Sequence, residues 1–268
     1  MIINHNLNAM NSHRNLSFNN IQQGKSSEKL SSGFRINRAA DDAAGLSISE
    51  TMRAQIKGMN QGMRNTQDGI SMVQAAEGAM NEVSDMLTRM KELATQASNG
   101  TYSTDDIAAI QLEYAALGDE IGRNATNFSF NGITLLDGSA GNVTIQSAGS
   151  DADAIVLDLS GIDLTALQFG TITDQASGAT ERGVVDAAIT AVNTARSTLG
   201  AYQNRLEHAF NNTSVNAENL QAAESRVRDT DMAAEMMKYT KFNILQQAST
   251  AMLAQANQAP QGVLQLLR

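Results

Sequence analysis

Residues 73–97 read VQAAEGAMNEVSDMLTRMKELATQA, and their spacing decides the fold. Val73, Ala76, Met80, Val83, Leu87, Met90, Ala94 and Ala97 follow one another at steps of 3, 4, 3, 4, 3, 4 and 3. All eight are apolar, so one helix face carries the whole stripe. The pattern runs back, less regularly, through Ile70, Met63, Met59, Met52 and Ile48. Asp41-Asp42 supplies acids for a first turn, where carboxylates offset the free N–H groups of a helix start. Asn99-Gly100 supplies a stop. The helix so predicted covers about 42–98 and is roughly 85 Å long at ~1.5 Å per residue. That is several times the usual helix of a globular protein.

Two further stripes follow. Ile107, Ile110, Tyr114, Leu117 and Ile121 step by 3, 4, 3 and 4, with Thr104 as candidate N-cap and Asp105 and Asp106 in the first turn, predicting a helix over 104–122. A looser seam with polar interruptions includes Val185, Ile189, Val192, Leu199, Leu206, Phe210 and Val227 and predicts a helix over 182–228. Between these, 128–180 holds short apolar runs (133–136, 143–145, 155–159) parted by Gly, Asn, Asp and Ser. Such texture predicts a small β element.

The two ends also read as helical. Ile3, Leu7 and Met10 begin a stripe that weakens at Arg14 and resumes at Phe18 and Ile21. Phe242, Leu245, Ser249, Met252 and Ala256 step by 3, 4, 3 and 4, with Leu253 beside them, and Val263, Leu264, Leu266 and Leu267 make an apolar tail. The one proline is Pro260, so nothing in 1–259 locks a backbone φ or lacks an N–H. The expected class is mainly α: an elongated rod of long coiled-coil-like helices with N- and C-terminal helices paired, plus a small β-hairpin region near 128–180. A rod has little interior, and both terminal stripes lack an evident internal partner. Many copies side by side would cover them, and contacts that do not close make a filament.

Composition narrows the function. Of 268 residues 42 % are hydrophobic but only 4 % aromatic, which suits closely packed helices better than a sandwich or barrel. There is no Cys, hence no disulfide framework, thiol nucleophile or Cys-built metal site. No apolar run is long enough to span a membrane, and the N-terminus lacks the pattern of a secretory signal. The net charge is −9, with residues 1–38 at +4, 235–268 at +2 and 139–180 at −5. The bases are dispersed and no aromatics interleave with them, so nucleic acid is not the expected partner. His5, His13 and His208 have no metal-ligand spacing, and no phosphate-cradling or nucleophile motif occurs. The sequence therefore points to no catalytic residue, metal or cofactor. The thirteen Met residues are read as core packing, since most fall on or near the stripes.

Specific strings then matter more than period. Residues 28–49 read EKLSSGFRINRAADDAAGLSIS, 68–79 DGISMVQAAEGA and 127–138 NFSFNGITLLDG. Residues 220–236 read LQAAESRVRDTDMAAEM and 244–268 ILQQASTAMLAQANQAPQGVLQLLR. Five strings in this order closely resemble bacterial flagellin, over roughly 1–138 and 181–268. The short middle, about 139–180, makes the chain similar to a flagellin whose variable outer domains are nearly absent.

The resemblance implies a structural subunit of the flagellar filament, exported unfolded through a narrow channel and self-assembling into a helical polymer that drives swimming. It implies an inner, channel-lining domain of 1–40 with 232–268, and a helical domain of 41–231 containing the shortened 139–180 region. Ile3, Leu7, Met10, Phe18, Ile21, Phe242, Leu245, Met252, Leu253, Val263, Leu264, Leu266 and Leu267 would then serve polymerisation. Val73, Met80, Val83, Leu87, Met90, Ile107, Ile110, Leu117, Leu199 and Leu206 would pack the long helices. Implied partners are further copies of the chain, an export chaperone at the C-terminal segment, and filament cap and hook-associated proteins. A host Toll-like receptor is a further implied partner, through LTRMKELATQ at 87–96, with Arg89, Leu93 and the neighbouring Glu113 in the matching positions. The resemblance also makes the middle dispensable, so that deleting 145–175 should leave polymerisation intact. The alternatives are a hook–filament junction protein with similar helical ends, an enzyme carried on the same scaffold, and a cytosolic coiled-coil adaptor.

Overall fold

The computed structural model describes residues 5–149 and 153–266, of which 259–266 by backbone alone. Five helices dominate: α1 Leu7–Ser32, α2 Ala43–Ala97, α3 Thr104–Asn127, α4 Gln175–Arg228 and α5 Met232–Leu266. Two antiparallel hairpins lie between α3 and α4: β1 Ser129–Phe130 with β2 Ile133–Thr134, and β3 Asn142–Gln146 with β4 Ala154–Asp158. The chain forms two compact units, Met1–Ala54 with Asn219–Arg268, and Gln55–Glu218.

In the unit of residues 55–218 the heptad stripe is the core. All eight residues from Val73 to Ala97 are buried. From α3 come Ile107, Ile110, Tyr114 and Ile121, and from α4 Val185, Val192, Leu199 and Leu206, with Leu117 half-buried against them. Each fully buried Leu or Met contributes about 1.5–3 kcal/mol, so the seam supplies the stability and the surface charges little of it. Lys91 pairs with Asp186 at 2.7 Å and Arg196 with Glu77 at 3.9 Å, which sets α4 antiparallel to α2.

Helix α3 is capped one residue earlier than the sequence suggested. The Asp106 N–H donates to Ser103 Oγ, and the Ser103 N–H donates to the Asp106 carboxylate at 3.0 Å. This reciprocal box places Ser103, not Thr104, at the N-cap, because an acid three residues on must answer the cap's own N–H. The Ser103 hydroxyl, donating to the Asp106 carboxylate at 2.8 Å, and then the Ser103 N–H hold that carboxyl below the usual aspartate range. Asp41 and Asp42 likewise sit before α2 rather than in its first turn. Asp42 caps the helix by accepting the Gly45 N–H at 2.9 Å, while Asp41 accepts the Asn37 and Arg38 N–H groups.

The middle segment belongs to the core. Asn131 (φ 49°) and Gly132 (φ 81°) make the tight turn of the first hairpin, the left-handed pair that suits the twist of two strands. In the second hairpin Ile155 and Leu157 point inward and Val156 outward. Leu159, Ile162, Leu164 and Ile172 continue the buried run up to α4. Glu181 pins this stretch: its buried carboxylate accepts the Tyr114 hydroxyl and the Gly170 N–H, each at 2.9 Å. Deleting 145–175, expected to leave polymerisation intact, would not be neutral for the fold. Six buried apolar side chains would leave the core with it.

The second hairpin also seats on α2. The Asn65 side-chain amide donates to the Gln146 carbonyl at 3.1 Å. Gly62 lies under Ser147, where a Cβ would run into the Ser147 backbone carbonyl. Gly78 on the same helix faces open space. The same replacement should therefore have opposite signs at the two sites. Gly78→Ala should raise the unfolding free energy by up to about 1 kcal/mol through helix propensity. Gly62→Ala should lower it by about 1–3 kcal/mol through overpacking. Urea unfolding followed by far-ultraviolet circular dichroism checks both, and a stabilised Gly62→Ala would refute the close seat.

Candidate functional site

The unit of residues 1–54 and 219–268 is built around two antiparallel helices. The Asn6 side-chain amide donates to the Ala256 carbonyl at 2.7 Å, and that of Asn19 to Ser249 Oγ at 3.0 Å. The inner seam of α1 runs Ala9, Ser12, Leu16, Asn19, Gln23, Ser26 and Leu30, at heptad steps. That of α5 runs Glu235, Tyr239, Phe242, Gln246, Ser249, Leu253 and Ala256. Small and polar side chains thus fill much of this interface.

The loop before α2 ties the base of the pair to the end of α4. Gly33 turns left-handed at φ 77° to end α1, and its carbonyl accepts the Thr230 N–H at 2.9 Å. The Arg35 N–H reaches the Arg228 carbonyl at 2.6 Å. The Arg228 guanidinium stacks 4.8 Å over the Phe34 ring and pairs with Glu50. That pairing, chiefly its hydrogen bond, holds the Glu50 carboxyl low. These bonds place Arg228 and the first turns of α2 with the terminal helices, a division at Ala54 and Asn219 rather than at 40 and 232.

Apolar side chains face the other way. Leu7, Met10, Phe18 and Ile21 on α1 are exposed, as are Leu245 and Met252 on α5. Phe242 and Leu253 are half-buried in the seam instead. Met232, Met236, Met237 and Ile244, which lie off the heptad stripe and were not picked from the sequence, join the outer face. The ten outer residues of the two helices are between 38 and 69 % exposed. Ile3 and Leu267 lie outside the described residues, and Val263, Leu264 and Leu266 are placed on α5 by backbone alone.

Arg89 and Glu113 meet on the unit of residues 55–218. Arg89 Nε donates to Glu113 at 2.8 Å and Nη1 to Glu92 at 3.0 Å, with about half of each paired side chain in solvent. These bonds, Glu113 first, raise the already high guanidinium pKa. Leu93 does not stand beside them on the surface. It is 2 % exposed and packs into the core, because its place on α2 turns it toward the buried seam. Among the described residues no three His, Asp or Glu groups are placed to hold a metal ion.

One carboxylate governs the terminal pair. Glu235 is buried against α1, which pushes its pKa up, but hydrogen bonds from Lys238, at 2.9 Å, and Ser26 outweigh this and leave it below the ordinary glutamate value. A depressed folded-state pKa stabilises above the unfolded value of about 4.3 and is lost as pH falls through the folded one. Glu235→Gln should therefore cost about 1–2 kcal/mol at neutral pH, and the difference from wild type should shrink on acidification below about pH 4. Urea midpoints at pH 7 and pH 3 check this, and a gap independent of pH would overturn it.

Comparison with known proteins agrees with this architecture. The bacterial flagellin N-terminal helical region matches residues 3–141, and the bacterial flagellin C-terminal helical region matches 183–267. The flagellin of Halalkalibacterium halodurans is 55 % identical over 272 residues and that of Bacillus subtilis 47 % over 307, each alignment spanning all of both chains. The crystal structure of Bacillus cereus flagellin, 36 % identical, covers 60 % of this chain and 94 % of its own, with a TM-score of 0.52. With paired terminal helices, a heptad-built helical core and family matches over most of its length, the chain belongs to the bacterial flagellin family.

Proposed function

We propose that the outward apolar face of α1 and α5 is the surface through which copies of this chain assemble. The chain is a structural subunit of the bacterial flagellar filament, an extracellular polymer that flagellins build by self-assembly. Among the described residues no helix is long and apolar enough to cross a membrane. The observation that carries the reading is the arrangement of the terminal pair: small and polar residues share the seam with Leu16, Leu30, Tyr239, Phe242 and Leu253, while ten large apolar residues lie outside it. Water around such a face is released when a second copy covers it. The inner, channel-lining role of 1–40 and 232–268 follows the same logic, as these segments hold the most uncovered apolar surface.

Export in an unfolded state fits a pair this poor in internal apolar contact, since little must be undone before passage. An export chaperone would hold the C-terminal segment at Phe242, Leu245, Met252 and Leu253 and at the tail 263–267. Cap and hook-associated proteins would meet the same helical faces at the filament's ends. A hook–filament junction role is the weaker reading, because both family regions match and identity to flagellins runs the full length. For a host Toll-like receptor the accessible groups are Arg89 and Glu113, an ion pair able to exchange partners, with Leu93 beneath holding the surface of α2 in place.

Two outcomes test these readings. A chain lacking 235–268 should fail to extend filament seeds by electron microscopy under conditions where the full chain does. Filaments from the truncated chain would end the assembly reading. Arg89→Ala monomer should stimulate receptor-expressing cells roughly tenfold less than wild type, as expected for a central charged contact. Equal stimulation would remove Arg89 from the receptor surface.

A further inference from the structure

Methionine is distributed between the two units in a way the sequence does not display. Met10, Met232, Met236, Met237 and Met252, all on the terminal helices, are exposed, with Met237 at 69 %. In the unit of residues 55–218, Met72, Met80 and Met90 are buried and Met59, Met63 and Met86 half-buried, and none of the six is exposed. The expectation that methionine serves core packing therefore holds for Met72, Met80, Met86 and Met90 and fails for the five exposed ones, with Met52 half-buried between the two cases. An exposed thioether is no better for solubility than Leu and more open to chemistry.

We infer that Met10, Met232, Met236, Met237 and Met252 form an oxidant-sensitive modification site that switches off self-assembly, with hydrogen peroxide as the co-reactant. The inference rests on the reading that the outer face of α1 and α5 docks further copies. The step balances. A sulfur lone pair attacks one peroxide oxygen, an S–O bond forms and the O–O bond breaks. The departing hydroxide takes up the remaining proton and leaves as water. Sulfur loses two electrons, the peroxide gains them, and the product is methionine sulfoxide. The sulfoxide oxygen is a strong acceptor on what was an apolar surface. Burial against a second copy would then strand it without a donor, which is costly. The buried Met72, Met80 and Met90 are shielded by the same packing that makes the core, so the soluble unit survives while the docking face is altered. Sulfoxide is reversible by two reductases, one per epimer, so the change is a switch rather than a lesion. Assembly itself would shield the five sulfurs, making a free subunit the vulnerable form.

The test treats full-length monomer with hydrogen peroxide and maps added oxygen by mass spectrometry of proteolytic peptides. Met10, Met232, Met236, Met237 and Met252 should be oxidised ahead of Met72, Met80 and Met90. The oxidised monomer should extend filament seeds at least about tenfold more slowly, the step that stranding a single acceptor would give. Treatment with both sulfoxide reductases should restore the rate. A variant with all five changed to Leu, compared with its own untreated rate, should lose none of that rate after peroxide. If the five are oxidised and assembly is unchanged, or if the Leu variant loses assembly to peroxide as wild type does, the inference is overturned. Untreated chain lacking 235–268 runs alongside: its assembly onto seeds would overturn the docking reading itself, separately from the oxidation result.

Discussion

Two helices lying side by side can hide only one stripe each, and in α1 and α5 that stripe is spent on Asn19, Ser26, Ser249 and Glu235 as much as on Leu16, Phe242 and Leu253. The large apolar side chains are left on the outside. Burial is the dominant favourable term in folding, so a pair arranged this way forgoes most of it until another surface arrives. The unit of residues 55–218 has the opposite arrangement. Helices α2, α3 and α4 together enclose one seam, and its large apolar residues lie inside. One unit buries its large apolar residues within the chain, and the other leaves most of its own exposed.

The polar seam of the terminal pair has its own logic. Apolar residues along a seam can slide by a turn with small change in energy, whereas a buried amide must find its partner. Asn6 on Ala256, Asn19 on Ser249, and Ser26 on Glu235 fix the register of α1 against α5 at three heights. The register then decides which residues make up the outer face.

Close approach rather than propensity explains the glycines of α2. Gly45 admits Ile36 and the Asp42 carboxylate, and Gly58 and Gly62 admit the turn after β3. Each weakens an isolated helix by about 0.5–1 kcal/mol, a loss offset where backbone meets backbone without a side chain between them. The second hairpin is therefore held to α2 by main-chain proximity and the Asn65 amide as well as by Ile155 and Leu157.

The sequence by itself determined the helices, because a 3, 4 spacing of apolar residues is a local property that survives any tertiary arrangement. It placed α2 within one residue at each end and marked eight of its buried apolar residues, missing Met72 and Leu93. It also carried the family, since five ordered strings identify a flagellin without coordinates. Tertiary structure decided what spacing cannot express. A stripe shows that one face is apolar and not whether that face is turned in or out, so the outward aim of Leu7, Met10 and Phe18 and the burial of Leu93 needed the neighbouring helices. Caps depend on a side chain reaching a particular N–H, which made Ser103 rather than Thr104 the N-cap of α3 and set Asp41 and Asp42 outside α2. The middle looked expendable because the family that the sequence resembles varies there. It is part of the core because short runs far apart in sequence converge on the same three helices, and that convergence is long-range.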